Sequence, residues 1–271
     1  KMNKLEKMRL FLASCMMGMA VSIVSCSSEN GENDILDGKG TIRLGMSTGV
    51  DFGVTTTRSV NLADYQDKNN YTVQILKSDG TTPVHEFTYA DMPSIPLELD
   101  NGTYTLKAFY GTEKVSSRNG FRVEGAATFS VQSNEQTVSV ACAPTCAKVS
   151  VDFDGAMGTY FSDYSVIFET EALAEIETSV TWAKADTDPW YLKVNKAGEV
   201  VKATIRFTRK AEYGTGISSA SVEKTYALAP NKAWTLKIAP SYESGKLGVA
   251  VTIDETTNDH DVDIIVPSEW I

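Results

Sequence analysis

The chain has few of the residues on which most catalytic and metal sites depend. Its 271 residues include only two histidines, His85 and His260, and four cysteines. Zinc sites built on several histidines, and triads that need a histidine base beside a nucleophile, therefore lack parts before any geometry is considered. We expect no enzymatic activity, no resident metal and no cofactor.

Basic residues are also in short supply. Lysine and arginine together number 25 against 35 aspartates and glutamates, which gives a formal net charge of −10. No basic stripe offsets this acidity, so we expect no binding to nucleic acid, because such binding needs a positive field. Hydrophobic residues make up 42% of the chain, which is enough for the core of one or two globular domains.

Only one long apolar run occurs, and it lies near the amino terminus. Residues 10–24 carry no charge and follow a leader, residues 1–9, that contains four basic residues. This order is typical of a secretory signal peptide, and the run is shorter than the roughly 20 residues that a membrane-spanning helix needs. We predict that residues 1–25 are a signal peptide that is removed. Its removal takes away four basic residues and one acidic residue, which lowers the formal net charge from −10 to −13.

The predicted cleavage point falls at a cysteine. Residues 23–26, Ile-Val-Ser-Cys, resemble the bacterial lipobox, which implies that Cys26 becomes the lipidated first residue of the mature protein and anchors it to the outer membrane. Residues 12–15, Leu-Ala-Ser-Cys, match the same pattern, but a cut there would leave an apolar run too short for a signal peptide. An ordinary signal peptide or a lone anchor helix is the remaining alternative.

The segment after the predicted cleavage point indicates a flexible tether and a cellular location. Residues 27–34 are polar and include no apolar residue, so the segment 26–37 should act as a flexible tether rather than fold alone. The tract 27–34 resembles the acidic export signal that carries lipoproteins of the Bacteroidetes to the outer face of the outer membrane. We therefore expect a lipid-anchored protein of the outer membrane that faces the cell exterior.

From about residue 38 onward, apolar and polar residues alternate with a period of two, and sustained helical periodicity is almost absent. Short strands rich in Val, Thr, Ile, Tyr and Phe predict an all-β fold of two transthyretin-like or immunoglobulin-like sandwiches in tandem. Turns are predicted at Ser78–Gly80 and Asp100–Gly102, the latter as a hairpin between strands near 95–99 and 104–110. Brief helical turns are expected near 62–65 and 157–161.

The seam between the two sandwiches is predicted near residues 142–147, where a proline and small residues interrupt two strand patterns. This gives an N-terminal sandwich over 38–144 and a C-terminal sandwich over 145–271. A weak repeat supports the division, because residues 128–140 and 225–238 read as similar hairpins.

The order of several segments is similar to that of a known family. These segments are 38–44 (GKGTIRL), 89–93 (YADMP), 99–108 (LDNGTYTLKA), 161–166 (FSDYSV) and 261–270 (DVDIIVPSEW). Together they resemble the DUF4493 group of Bacteroides surface lipoproteins, which are similar in plan to fimbrillin-like proteins, with a lipobox followed by two β-sandwich domains. The resemblance implies a structural or adhesive role at the cell surface, with no catalytic residue to carry over.

Cys142 and Cys146 are the only cysteines outside the predicted signal peptide and anchor. The exported compartment permits a disulfide between them, provided that the loop folds back and brings their α-carbons within about 7 Å. Two buried free thiols are the alternative. Zinc is disfavoured because no histidine lies nearby in the sequence, and the acidic segment 254–263 is interpreted as a solvated strand edge rather than a calcium site.

Two further sets of residues suggest binding functions. Trp182, Trp190 and Tyr191 would form an aromatic platform for a sugar ring, which predicts a glycan-binding module of a polysaccharide capture system as the alternative function; aromatic residues on strands are more often core. Arg58, before Ser59, would be a cleavage site for a trypsin-like protease, unless it is an ordinary loop arginine. Its cleavage would free the first strand and open a groove for a strand of another copy or of a fimbrial subunit.

Overall fold

The computed structural model describes residues 38–50, 52, 60–243, 246–255, 258–259, 263–265 and 267. The predicted signal peptide, Cys26, the tether and the Arg58–Ser59 bond lie outside these described residues. The described residues form one compact unit. The prediction of an all-β fold is confirmed, since β-strands dominate and the helices are single turns.

The strands of the first half of the chain are β1 (Lys39–Thr48), β2 (Thr72–Lys77), β3 (Pro83–Thr88), β4 (Leu97–Asp100), β5 (Gly102–Gly111), β6 (Ser116–Ser117), β7 (Arg122–Val131) and β8 (Glu135–Pro144). The strands of the second half are β9 (Cys146–Phe153), β10 (Phe161–Glu169), β11 (Val180–Ala183), β12 (Trp190–Lys193), β13 (Glu199–Arg209), β14 (Ser219–Leu228), β15 (Ala233–Glu243), β16 (Lys246–Glu255), β17 (Asn258–Asp259) and β18 (Asp263–Ile265). The short helices are α1 (Leu62–Gln66), α2 (Met157–Tyr160) and α3 (Glu171–Ala174), with 3-10 turns at Lys68–Asn70, Tyr89–Asp91 and Ala211–Tyr213.

In the first half, the strands follow the order β3-β2-β5-β7-β8-β1-β4. Strands β7 and β8 pair only at one end, through Val123 with Pro144 and Glu124 with Ala143. The β8-β1-β4 part therefore turns away and packs against the β3-β2-β5-β7 part. Buried side chains from both parts, such as Ile42 and Leu106, share one hydrophobic core.

The second half repeats this connectivity. Strand β9 runs parallel to β15 and antiparallel to β12, as β1 runs parallel to β8 and antiparallel to β4. The facing sheet has the order β11-β10-β13-β14, which corresponds to β3-β2-β5-β7. A second core of buried residues begins at Ala147 and includes Trp182 and Leu236. The predicted domain boundary at 144/145 stays a prediction, and Cys146 and Tyr191, which follow it in the sequence, belong to the first core.

The predicted hairpin at Asp100–Gly102 is wrong. Strand β4 pairs with β1, whereas β5 pairs with β2 and β7, so this turn carries the chain from one sheet to the other. The Asn101 amide donates to the Gly38 carbonyl at 2.9 Å, and Gly102 has a φ of 156° that suits glycine. Buried side chains of both strands, such as Leu99 and Leu106, belong to the same core.

The two similar segments at 128–140 and 225–238 are also not simple hairpins. Strands β7 and β8 separate after their two paired positions, and β14 and β15 lie in different sheets. Both segments occupy equivalent places in the two halves.

By contrast, the turn after β2 forms as predicted, because the Asp79 carboxylate accepts hydrogen bonds from the amides of Thr81 and Thr82, each at 2.8 Å. The predicted helical turns are confirmed at α1 and α2.

Candidate functional site

Strand β1 lies inside its sheet, with a neighbour on each side. It pairs in parallel with β8 over eight positions, from Thr41 opposite Glu135 to Thr48 opposite Cys142. It pairs antiparallel with β4 over four positions, from Lys39 to Ile42. Removing β1 would therefore expose the backbone edges of both β8 and β4, which are the groups that an added strand would need.

The inward side chains of β1 belong to the core. Ile42 and Met46 are 1% and 7% exposed, and Leu44, on the same face, packs against the same cluster. This alternation of apolar residues fixes the register, because a shift by one residue would turn them to solvent. The outward ion pairs, Lys39 with Glu98 at 2.6 Å and Arg43 with Glu135 at 2.5 Å, are more than half exposed, and such pairs contribute little stability.

Glycine allows β1 to approach the chain after β7 closely. A β-carbon at Gly40 would lie 2.0 Å from the Gln132 carbonyl oxygen and 2.7 Å from Val131 Cγ1. Real β-carbons do not come so close to backbone, so no other residue fits here without movement. The slot that holds β1 therefore requires a residue without a side chain at the position of Gly40.

An apolar groove of about 250 Å³ borders β1 on the side of β4. Its lining includes Leu44, Met92, Ile95 and Leu97. Ile95 is 73% exposed, so apolar surface continues from the slot to solvent.

A few residues after β1, the chain is anchored in the core again, at Phe52. Phe52 is 1% exposed, and its ring lies edge-on to Phe121 at 5.1 Å and tilted to Tyr191 at 5.7 Å between ring centres. Its carbonyl oxygen accepts a hydrogen bond from Lys148 Nζ at 3.5 Å. Lys148 is itself 3% exposed, and burial lowers its pKa. Tyr191 and Lys148 belong to the second half, so both halves hold Phe52.

Arg58 and Ser59, the predicted cleavage site, lie outside the described residues. In the sequence they stand between Phe52 and Val60, both of which are buried. The structure therefore defines what precedes and follows the predicted site, and cleavage itself stays a prediction.

Cys142 and Cys146 are free thiols, which is the second of the two alternatives drawn from the sequence. Cys142 lies in β8 opposite Thr48 of β1, whereas Cys146 lies in β9 opposite Lys193 of β12, so the chain changes sheets between them. Cys142 Sγ donates to the Ala108 carbonyl at 3.5 Å. Burial raises the pKa of Cys142 to about 11 and that of Cys146 to about 12, so neither is a nucleophile near neutral pH.

The predicted aromatic platform is not assembled on the surface. Trp182 and Tyr191 are each 2% exposed because they pack into the two cores, and only Trp190 keeps accessible surface. The Arg118 guanidinium lies 4.3 Å from the centre of the Trp190 ring and 5.2 Å from that of Trp182. A protein side chain therefore occupies the place where a sugar was expected to stack.

Residues Gly45–Gly49 match the letters of the Gly-x-Ser-x-Gly pattern of serine hydrolases, but they do not form a nucleophile elbow. An elbow places serine in a sharp turn between a strand and a helix. Ser47 instead lies within β1, exposed and directly opposite Ala141 of β8.

Other site classes gain no support from the described part of the chain. Histidine, cysteine, aspartate and glutamate side chains form no group of three or more that could hold a metal ion among the described residues. In the same part of the chain, none of the helices has the length and apolar character needed to cross a lipid bilayer.

Sequence reasoning missed Phe52, Lys148 and Arg118. A lone aromatic residue in a segment rich in glycine and threonine was the available signal for Phe52. No comparable signal marks Lys148 or Arg118, because their partners are distant in the sequence.

The family described as "Domain of unknown function (DUF4493)" matches residues 38–268. A comparison with curated protein sequences finds no match.

Solved structures that match this chain include a candidate adhesin of Bacteroides ovatus, with a TM-score of 0.47 and 12% identity, covering 85% of this chain and 96% of that one. They also include the fimbrial anchor protein Mfa2 of Porphyromonas gingivalis, with a TM-score of 0.41 and 9% identity, covering 84% and 99%. A third, of Bacteroides thetaiotaomicron, is described as a candidate polysaccharide-binding protein and has a TM-score of 0.40 and 11% identity, covering 84% and 99%.

Proposed function

Since this chain belongs to the DUF4493 family, whose description assigns no function, we propose from its own residues that it is a structural or adhesive lipoprotein of the cell surface. Its partners are copies of itself or other fimbria-like subunits, which it joins by exchanging a β-strand. The mechanism is strand pairing and contact area rather than catalysis.

The placement of β1 carries this proposal. It is the first described strand, it lies between β8 and β4, and it contributes Ile42 and Met46 to the core. Its connection to the remaining chain runs through the segment that contains Arg58. One cut there leaves β1 held by non-covalent contacts alone, and a strand from another subunit competes for the same hydrogen bonds.

The lipid anchor and strand exchange are successive states of one molecule in this proposal. Before cleavage, Cys26 carries the lipid and residues 26–37 form a tether of at most about 40 Å when extended. Cleavage after Arg58 separates the lipidated segment from the rest. The uncleaved chain thus serves as a membrane-bound form, and the cleaved chain as an assembling form.

A glycan-binding function is the alternative, but its proposed platform is buried apart from Trp190. We therefore favour strand exchange. Binding of the purified chain on a polysaccharide array, lost in Trp190→Ala, would instead favour the glycan function.

Localisation is tested in cells. The chain should incorporate a fatty-acid probe and be digested by protease added to intact cells. Cys26→Ala should lose the label and leave the membrane fraction, whereas Cys15→Ala, the matched control, should behave as the parent protein does. Labelling that persists in Cys26→Ala would contradict the anchor.

Strand exchange is tested on the purified chain with an arginine-specific protease. We expect a large fragment that begins at Ser59 and a subsequent rise in mass to oligomers. Arg58→Ala should give neither. Cleavage at this bond without any oligomer would contradict the proposal.

A further inference from the structure

We propose that Phe52 is a latch through which the second half of the chain holds β1 in its slot. This inference rests on the proposed function for its biological meaning, but the latch itself is a property of the uncleaved protein. In this arrangement, residues that are distant from β1 in the sequence control the release of β1.

The contacts of Phe52 come from two places. Phe121, which precedes β7, supplies one ring, and Tyr191 of β12 supplies another. Phe121 and Tyr191 also contact each other at 4.7 Å between ring centres. The three rings are thus in mutual contact, and they come from both halves of the sequence.

The backbone of Phe52 is held as well. Lys148 of β9 reaches its carbonyl oxygen from the core, and the Gly49 amide, three residues earlier, donates to the Cys142 carbonyl at 2.9 Å. The segment that leaves β1 is therefore bound at successive points. Strand β1 cannot withdraw along its slot unless Phe52 also leaves its pocket, because only three residues separate Thr48 from Phe52.

The position of the latch gives it a regulatory consequence. Phe52 lies between β1 and Arg58 in the sequence, so cleavage after Arg58 leaves both β1 and Phe52 on the same fragment. That fragment has to break two sets of contacts before the slot opens. Release of Phe52, rather than cleavage alone, then sets the rate at which a new strand enters.

A purely structural role for Phe52 makes a different prediction. Replacing a buried phenylalanine with alanine destabilises any hydrophobic core. The loss corresponds to a change of about two or more orders of magnitude in the equilibrium constant for local opening. If Phe52 were only core, the destabilisation would be spread over the whole unit. If it is a latch, the effect is concentrated on β1.

Hydrogen exchange of backbone amides in the full chain separates these possibilities. We expect Phe52→Ala to speed exchange of the β1 amides, residues 41–48, at least 10-fold more than exchange of the β13 amides. Tyr191→Ala, in the second half, should give the same local pattern. Phe168→Ala is the matched control, since Phe168 is also 1% exposed but lies in the second core. It should not speed exchange of the β1 amides more than exchange of the β13 amides.

The milder Phe52→Leu keeps the test possible if Phe52→Ala does not fold, and it should shift exchange in the same direction. Equal acceleration of β1 and β13 in the Phe52 variants, or unchanged β1 exchange in Tyr191→Ala, would overturn the latch.

A second measurement links the latch to strand exchange. After arginine-specific cleavage, native mass spectrometry should show the fragment that ends at Arg58 still bound, and Phe52→Ala should release it at least 10-fold faster than Phe168→Ala does. Equal release rates would overturn the latch. Failure of cleavage at Arg58 would count against the proposed function alone, because the exchange experiment on the intact chain decides the latch by itself.

Discussion

The guanidinium of Arg118 is stacked 4.3 Å from the centre of the Trp190 ring and lies 2.6 Å from Asp186 Oδ2. It also donates to the carbonyls of Asp188 and Thr181, at 2.6 and 3.2 Å. Arg118 follows β6, whereas all these partners belong to the second half. One side chain of the first half therefore organises the loop between β11 and β12.

Replacing Arg118 with alanine should destabilise the protein by about 2 kcal/mol, because a stacked and charge-assisted set of contacts is lost. It should also change tryptophan fluorescence, since Trp182 and Trp190 flank the guanidinium. Urea unfolding followed by fluorescence measures both effects.

Arg122→Ala is the matched control. Arg122 pairs with Glu124 at 2.7 Å and lies 4.2 Å from the centre of the Phe109 ring, with all these partners in the first half. This variant should be less stable than the parent protein, but its native tryptophan fluorescence should be unchanged. A native spectrum that is unaltered in Arg118→Ala would contradict the stacked arrangement.

Gly40→Ala should destabilise the protein by about 1–3 kcal/mol, because the new methyl group meets the Gln132 carbonyl and β1 has to shift. Gly49→Ala provides the comparison, since nothing lies within 4 Å of a β-carbon there. Thermal unfolding of both variants measures the difference. Equal melting temperatures would show that β1 does not approach residue 132 in this way.

Cys142 and Cys146 should resist thiol reagents in the folded protein. With its pKa raised from 9.0 to about 11, Cys142 has a thiolate fraction about 100-fold below that of an unperturbed thiol at pH 7, and burial blocks access to both sulfurs. Ellman's reagent should label both thiols only after unfolding in urea. The assay uses the chain without residues 1–25 and with Cys26→Ser. Mass spectrometry that finds a disulfide between the two would contradict the described structure.

The turn after β2 should lose stability in acid. Hydrogen bonds from the Thr82 side chain and from the amides of Thr82 and Thr81 hold the pKa of Asp79 well below its usual range. Because the folded-state pKa is depressed, the contribution is present above the unfolded value of about 3.9 and is lost as pH falls toward the folded value.

Asp79→Asn should therefore melt below the parent protein at pH 7, and the difference should narrow as pH falls from about 5 to 2. Thermal unfolding of both chains across this range measures it. A difference that stays constant with pH would show that the ionised carboxylate is not the stabilising group.

Local patterns predicted local structure well in this chain. The alternation in β2 and the Ser78–Gly80 turn needed only neighbours in sequence, and both form as expected. The strand partner of β4 could not be predicted from neighbours in sequence, because Asp100–Gly102 suits a hairpin turn and a corner between two sheets equally. Burial of Trp182 likewise depends on distant residues, since strand aromatics look alike in sequence whether they face core or solvent.

Strand exchange requires that a strand of another copy can replace β1 in its slot. The most direct test adds a synthetic peptide of residues 38–48 during arginine-specific cleavage and follows mass by light scattering. The peptide carries Arg43→Lys, so that the protease leaves it intact. We predict that the cleaved chain forms oligomers, that this peptide prevents them by filling the slot, and that the same peptide with Ile42→Asp does not. A cleaved chain that stays monomeric, or oligomers that form equally with either peptide, would contradict the account.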